Sequence, residues 1–199
     1  MKYVISFLFL ALCLGCASTS SHQFTTKDII VPSLIKQNWT SYGVLNITSP
    51  KGTLTLNFEW KRTQHGKKTY ASFSKMMGML SSQIEFTEDM VRVHFVNGDV
   101  ETMINDPKVV GLVLKKKFYI PLNELNYWLI GKKAVDNLHS IVRNNDGTIN
   151  TLKQAGWTIT FDDYMLKQGY FIPKLLLLYN YEEKIRIKII VHGIHIENI

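Results

Sequence analysis

Polar and apolar side chains alternate over several short stretches of this chain, and a period of two confines those stretches to strands of a sheet with one dry face. In Thr53-Leu54-Thr55-Leu56-Asn57-Phe58-Glu59-Trp60 the alternation puts Leu54, Leu56, Phe58 and Trp60 on one side. The same period recurs in Val91–Phe95, Trp157–Phe161 and Lys184–Ile189. Such alternation marks antiparallel sheet wetted on its other face. Turn signals separate the strands at Ser49-Pro50-Lys51-Gly52, His65-Gly66, Asn97-Gly98 and Asp146-Gly147, with Asn-Gly the strongest hairpin former among them. Strands joined by such turns are neighbours in space as well as in sequence. A meandering sheet curled around its apolar face, an open or closed barrel, is the expected architecture.

Two helical stretches interrupt this pattern. Asp106-Pro107 offers a capping residue and a proline at the first helical position, followed by Val109, Val110, Leu112, Val113 and Leu114 and ending on Lys115-Lys116-Lys117, which complement the helix dipole. A second helix starts at Pro121; Leu122, Leu125, Trp128 and Leu129 share one face, and Gly131 can stop it. An apolar helix face beside a curled apolar sheet makes a plug or a lid.

The N-terminus has the layout of a secretory signal: Met1-Lys2, then a dozen mostly apolar residues to Leu14. The apolar run is shorter than the roughly 20 residues that cross a bilayer. Leu12-Cys13-Leu14-Gly15-Cys16 resembles a bacterial lipobox, which implies cleavage after Gly15 and acylation of Cys16. Cys16 is then the only cysteine of the mature chain, so neither a disulfide nor a thiolate metal cluster is open to the folded domain. Several acyl chains together make a stable anchor, at about 0.8 kcal/mol per buried methylene. Ala17, not an acidic residue, follows the cysteine, which by resemblance to the Gram-negative sorting rule points to the outer membrane. The expected organisation is a signal peptide over 1–15, a lipidated flexible tether over 16–37 rich in Ser, Thr, Gln and Lys, and a single domain over 38–199.

Without the leader, which carries only Lys2, 22 basic and 16 acidic residues remain, a formal charge of +6. That surplus suits anionic headgroups or an acidic protein. The basic residues are scattered or alternate along strands without recognition-helix or zinc-finger spacing, so nucleic acid is not an expected partner. Enzyme signatures are missing from the sequence: no G-x-S-x-G elbow, no H-E-x-x-H, and His192-x-x-His195 lies in a strand-like tail without a third ligand. Asp162-Asp163 reads as a turn after Phe161 rather than as a carboxylate pair. No catalytic residue, metal or cofactor is expected.

Ile120-Pro121-Leu122-Asn123-Glu124-Leu125-Asn126-Tyr127-Trp128-Leu129-Ile130-Gly131 is similar to the I-P-L-x-x-L-x-x-W-x-x-G block of the outer-membrane lipoprotein receptor family LolB. Other pieces follow in that family's order: Trp39 with Gly43 before the first strand, Phe58-Glu59-Trp60 in the second, Gln154-Ala155-Gly156-Trp157, and Pro173 ahead of the Lys184–Ile189 strand. The resemblance implies an unclosed, half antiparallel β-barrel, mainly β with some α, whose helices cover an apolar cavity for acyl chains. It implies acylated lipoproteins, a soluble periplasmic carrier that delivers them, and outer-membrane lipid as partners, with the receptor acting as a monomer and without ATP. Phe58, Trp60, Trp128 and Trp157 are candidates for the cavity or its lid, ordinary core packing being the other reading for each.

Lys75-Met76-Met77-Gly78-Met79-Leu80 is apolar where a connection between strands should be polar. Methionines there can pack inward as adaptable filler. The resemblance implies instead a protruding loop of Met76, Met77, Gly78 and Met79 that touches the membrane, Met77 taking the place of the family's leucine before the glycine. A structural lipoprotein subunit that binds another outer-membrane protein through a sheet edge is the rival reading.

Overall fold

The computed structural model describes residues 33–63, 67–74, 80–87, 89–95, 97–104, 122–135 and 139–197. Eleven strands form one antiparallel sheet: β1 Trp39–Ser49, β2 Gly52–Thr63, β3 Lys68–Ser74, β4 Leu80–Phe86, β5 Met90–Phe95, β6 Val100–Ile104, β7 His139–Arg143, β8 Ile149–Gln154, β9 Trp157–Lys167, β10 Tyr170–Asn180 and β11 Ile185–Ile196. Among the described residues one helix, α1, spans Leu122–Trp128, and a short 3-10 turn over Leu34–Lys36 precedes β1.

The strand order is β6-β5-β4-β3-β2-β1-β11-β10-β9-β8-β7, a meander in which β1 pairs with β11 and each other neighbour is next in sequence. The two ends of that order, β6 and β7, do not pair, so the barrel is left open. The chain between them, residues 105–138, carries α1. This is the half-barrel with a helix across it that the alternation and the resemblance both led to.

Burial follows the sequence pattern where it was strict. Along β2 and β11 the apolar positions Leu56, Phe58, Trp60, Ile185, Ile187 and Ile189 are buried and the residues between them lie mostly at or near the surface. Turns close hairpins at Ser49–Gly52, Asn97-Gly98 and Asp146-Gly147, while His65-Gly66 lies outside the described residues.

Four expectations are corrected. Trp39 and Gly43 do not precede the first strand but belong to β1, where Trp39 pairs with Arg62 and Ile196. The register of β1 on β11 shifts between Tyr42 and Gly43, and a Cβ at Gly43 would stand 1.9 Å from the Ile190 carbonyl oxygen, so only glycine fits that bulge. Asp162-Asp163 makes no turn: β9 runs on to Lys167, with Asp163 at φ 50° facing Lys174 across β10. Lys184, read as the first residue of a strand, takes φ 52° in the turn before β11. Finally, Leu34 is buried ahead of β1, so packed structure begins before Asn38.

The helix expected after Asp106-Pro107 lies outside the described residues. α1 matches the second expected helix, and Leu122, Leu125, Trp128 and Leu129 are all buried on the sheet. Gly131 terminates the turn after it at φ +67°, with Tyr164 and Pro173 so close that a Cβ would meet them at 3.1 and 3.2 Å.

Candidate functional site

Seven residues are too few to hold a helix together in water, so α1 depends on what it packs against. Its apolar face lies over the inner face of the sheet, and two buried amides tie it down. The Asn126 side-chain oxygen accepts from Trp60 Nε1 of β2 at 2.8 Å and from Thr69 Oγ1 of β3 at 3.1 Å. Gln154, at the end of β8, accepts from Trp128 Nε1 at 3.1 Å and from the Ala134 backbone N–H at 2.9 Å, and its own amide donates to the Ala134 carbonyl at 2.9 Å. Asn126 and Gln154 thus latch α1 and the turn after it to opposite flanks of the sheet.

Between the latches lies an apolar cleft. Leu122, Leu125 and Leu129 roof it; Leu45 of β1, Phe58 and Trp60 of β2, Phe73 of β3 and Ile187 and Ile189 of β11 form its floor. Its free volume is about 20 Å³, close to the size of one water, because α1 fills the hollow of the half-barrel with its own side chains.

The structure brings Phe58 and Trp60 together in the floor of this cleft, and Trp60 also meets Phe86 edge-on at 5.5 Å between ring centres. Trp128 and Trp157 are fully buried but do not line it. Trp128 serves the Gln154 latch, and Trp157 opens β9 within the core. Cys16 and Met76, Met77, Gly78 and Met79 lie outside the described residues. The register puts the last residue of β3, Ser74, and the first of β4, Leu80, toward the same end of the strands as the β1–β2 and β10–β11 turns.

A second hollow opens at the other end of the strands. It is a groove of about 920 Å³ bounded by Ser33–Ile35, the turn after α1, the β7–β8 turn and the β9–β10 turn. Its floor is apolar, its rim charged. Asp146 sits in that rim with its pKa lowered by hydrogen bonds from the Thr148 hydroxyl and backbone N–H, so it stays a carboxylate. Tyr164 donates to the Ile149 carbonyl at 2.6 Å, and burial, with Asp146 adding to it, pushes its phenol up. Nothing in the sequence pattern pointed to this groove, because its walls come from four separate segments.

Residues 37–193 match the profile of the family described as outer membrane lipoprotein LolB. The chain belongs to the LolB family. Relatives named outer-membrane lipoprotein LolB include one from Marinomonas sp. (strain MWYL1), 25% identical over 174 residues, covering 86% of this chain and 87% of that one. Another, from Pseudoalteromonas translucida (strain TAC 125), is 24% identical over 186 residues, covering 92% and 88%. Among solved structures, a LolA superfamily protein from Nitrosomonas europaea superposes with a TM-score of 0.56 at 5% identity, over 82% of this chain and 88% of that one. A DUF1329 family protein from Desulfovibrio piger gives 0.57 at 12%, over 81% and 86%. These likenesses concern the fold.

Family membership carries a role in lipoprotein localisation at the outer membrane, as a lipid-anchored protein, in line with the resemblance of the Ile120–Gly131 block. It is a trafficking family, not an enzyme family. Of the adjacent carboxylates Asp162 and Asp163, Asp163 pairs with Lys174 at 3.3 Å, in the open. Among the described residues, no helix is long and apolar enough to cross a membrane.

Sequence reading missed Asn126 and Gln154. Both stand inside the blocks that carried the resemblance, but an amide in such a block reads as a surface residue until its burial is seen. The available signal was a polar residue, Asn126, directly between Leu125 and the apolar-face Trp128 on a helix that is otherwise amphipathic.

Proposed function

We propose that this chain accepts lipoproteins from a soluble periplasmic carrier and places them in the outer membrane, taking their acyl chains into the cleft between α1 and the sheet. The observation that carries this reading is the cleft itself: nine apolar side chains from one helix and four strands face one another with a free volume too small for an acyl chain. To admit one, α1 must lift from the sheet. The side chains that now touch Leu122, Leu125 and Leu129 would then touch methylenes instead.

That exchange swaps one apolar contact for another, so its net free energy is small, and no ATP is needed. Direction comes from the last step, because lipid that enters the bilayer keeps its methylenes in hydrocarbon and is diluted into a large phase. The Asn126 and Gln154 latches set how readily α1 lifts. Each must hold the empty state closed yet break when cargo offers apolar surface in return.

In this reading Cys16 is acylated and anchors the receptor, residues 17–32 give the domain reach, and Met77 inserts in the membrane to guide lipid out of the cleft. The receptor works as a monomer. Two experiments test the proposal. Depletion followed by fractionation should leave lipoproteins in the periplasm or inner membrane; normal sorting would favour a structural subunit. In a reconstituted transfer assay Met77→Glu should impair release into outer-membrane vesicles, and undiminished delivery would remove Met77 from the mechanism.

A further inference from the structure

The groove at the end of the strands is forty-fold roomier than the cleft and differs from it in kind. Leu34, Ile130 and Ile149, all buried, form its floor. Lys132, Lys133 and Arg143 stand exposed along its rim, against one acid, Asp146, among the described lining residues. Arg143 is steadied by donating to the Gly147 carbonyl at 2.7 Å. Phe171, half exposed, closes one side. Cations over an apolar trough are complementary to an amphiphile with an anionic head and a hydrocarbon body.

Where the chain enters the groove says which amphiphile is at hand. Ser33 lines it, and only residues 17–32 separate Ser33 from Cys16. Sixteen residues span at most ~55 Å when fully extended. The groove is therefore the part of the domain leashed most closely to the bilayer surface in which Cys16 is anchored.

We propose that this groove is a second lipid site, which takes the phosphate headgroup and upper acyl chain of an anionic phospholipid from the membrane that holds the receptor. The phosphate meets Lys132, Lys133 and Arg143, and the chain lies against Ile35, Val135 and Phe171, the apolar lining residues that keep exposed surface above the buried Leu34, Ile130 and Ile149. Because the groove and the strand ends at Ser74 and Leu80 lie at opposite ends of the sheet, the groove and the proposed contact of Met77 engage the bilayer in turn: the groove holds the domain at rest and lets go before that contact forms. This site rests on the proposed anchoring at Cys16 but not on cargo binding in the cleft.

The test uses the full-length lipidated chain with a benzoylphenylalanine photoprobe in place of Phe171, reconstituted in vesicles of phosphatidylcholine alone or of an equimolar mixture with phosphatidylglycerol. Lipid adducts should form in the mixed vesicles and drop about tenfold in phosphatidylcholine. They should drop about as far in the mixed vesicles when Lys132→Glu and Lys133→Glu are combined, each cation near an anionic surface being worth several-fold in occupancy. A probe at the exposed Tyr42, on the outer face of β1, should give no adduct. Equal adducts in both vesicles, insensitivity to the double substitution, or adducts to protein in place of lipid would each overturn the proposal, the last pointing to an acidic protein partner. Vesicle flotation confirms the anchor in every arm, and lipoprotein transfer measured in parallel separates the two readings. Failed transfer with intact adducts removes the receptor function and leaves the lipid site standing.

Discussion

Leu129 and Ile130 are adjacent in sequence and face two different hollows: Leu129 roofs the cleft under α1, and Ile130 lies in the floor of the groove at the strand ends. The cleft is dry and already filled by the helix that covers it. The groove is wide and rimmed by charge, and no side chain of the described residues fills it. A hollow lined only by hydrocarbon cannot be left open to water at this size without losing the burial that stabilises it, so the protein supplies its own occupant. A hollow with a charged rim can stay wetted. The contrast separates a compartment that must be opened to work from one that is open and selective by charge.

Trp128→Ala should erase the contrast. The ring is fully buried and holds the Gln154 latch, so its loss leaves a large void and should cost about 3–5 kcal/mol in urea denaturation. With α1 loosened, both hollows should change together, seen as strong binding of a hydrophobic fluorophore.

Asn126→Ala acts on one side of the comparison and Gln154→Ala on both. Each strands buried donors, Trp60 Nε1 and Thr69 Oγ1 in the first case and Trp128 Nε1 and the Ala134 N–H in the second. Each should lower stability by about 1–3 kcal/mol. Both should raise the cleft's affinity for acylated peptide, while adducts from the Phe171 probe stay unchanged in Asn126→Ala and change in Gln154→Ala, which also frees Ala134 in the wall of the groove. Lower affinity for acylated peptide would mean that the amides shape the lining instead of latching the roof.

Gly131→Ala disturbs the hinge between the two hollows. A side chain at φ +67°, crowded by Tyr164 and Pro173, should cost about 1–2 kcal/mol, read as a shift of the urea midpoint. The smallest effect on stability belongs to Lys132→Glu with Lys133→Glu. Both residues are exposed, and the folded state should change by less than about 0.5 kcal/mol although the groove loses its lipid.

How much of this was legible in the sequence depends on whether a residue's neighbours along the chain are also its neighbours in space. β2 and β11 were legible because each alternates over its inner face. β10 was not: Leu175-Leu176-Leu177-Leu178 is apolar on both faces, and a period of two vanishes when the outer face is also hydrocarbon. β1 hid behind Gly43 and Asn46, whose reasons lie in the Ile190 carbonyl of β11 and in Thr55 of β2. Asp162-Asp163 looked like a turn because Asp163 takes a turn-like φ of 50° inside a strand that keeps its register on β10 to either side. At the site, Phe58 and Trp60 stood out as aromatics on a dry face, and Leu122, Leu125 and Leu129 as the facing stripe. The latches and the groove did not, since Asn126 meets strands more than fifty residues away and the groove is assembled from four segments.

The central claim is that acyl chains enter beneath α1. Its most direct measurement places a photoprobe at Leu125, in the roof of the cleft, and illuminates the receptor while a carrier loaded with acylated lipoprotein delivers to vesicles. Adducts between the probe and the cargo's acyl chains, appearing during transfer and disappearing once cargo reaches the bilayer, are the predicted result. Normal delivery with no adduct from Leu125 would contradict it, and would mean that lipid passes along some other surface of the half-barrel.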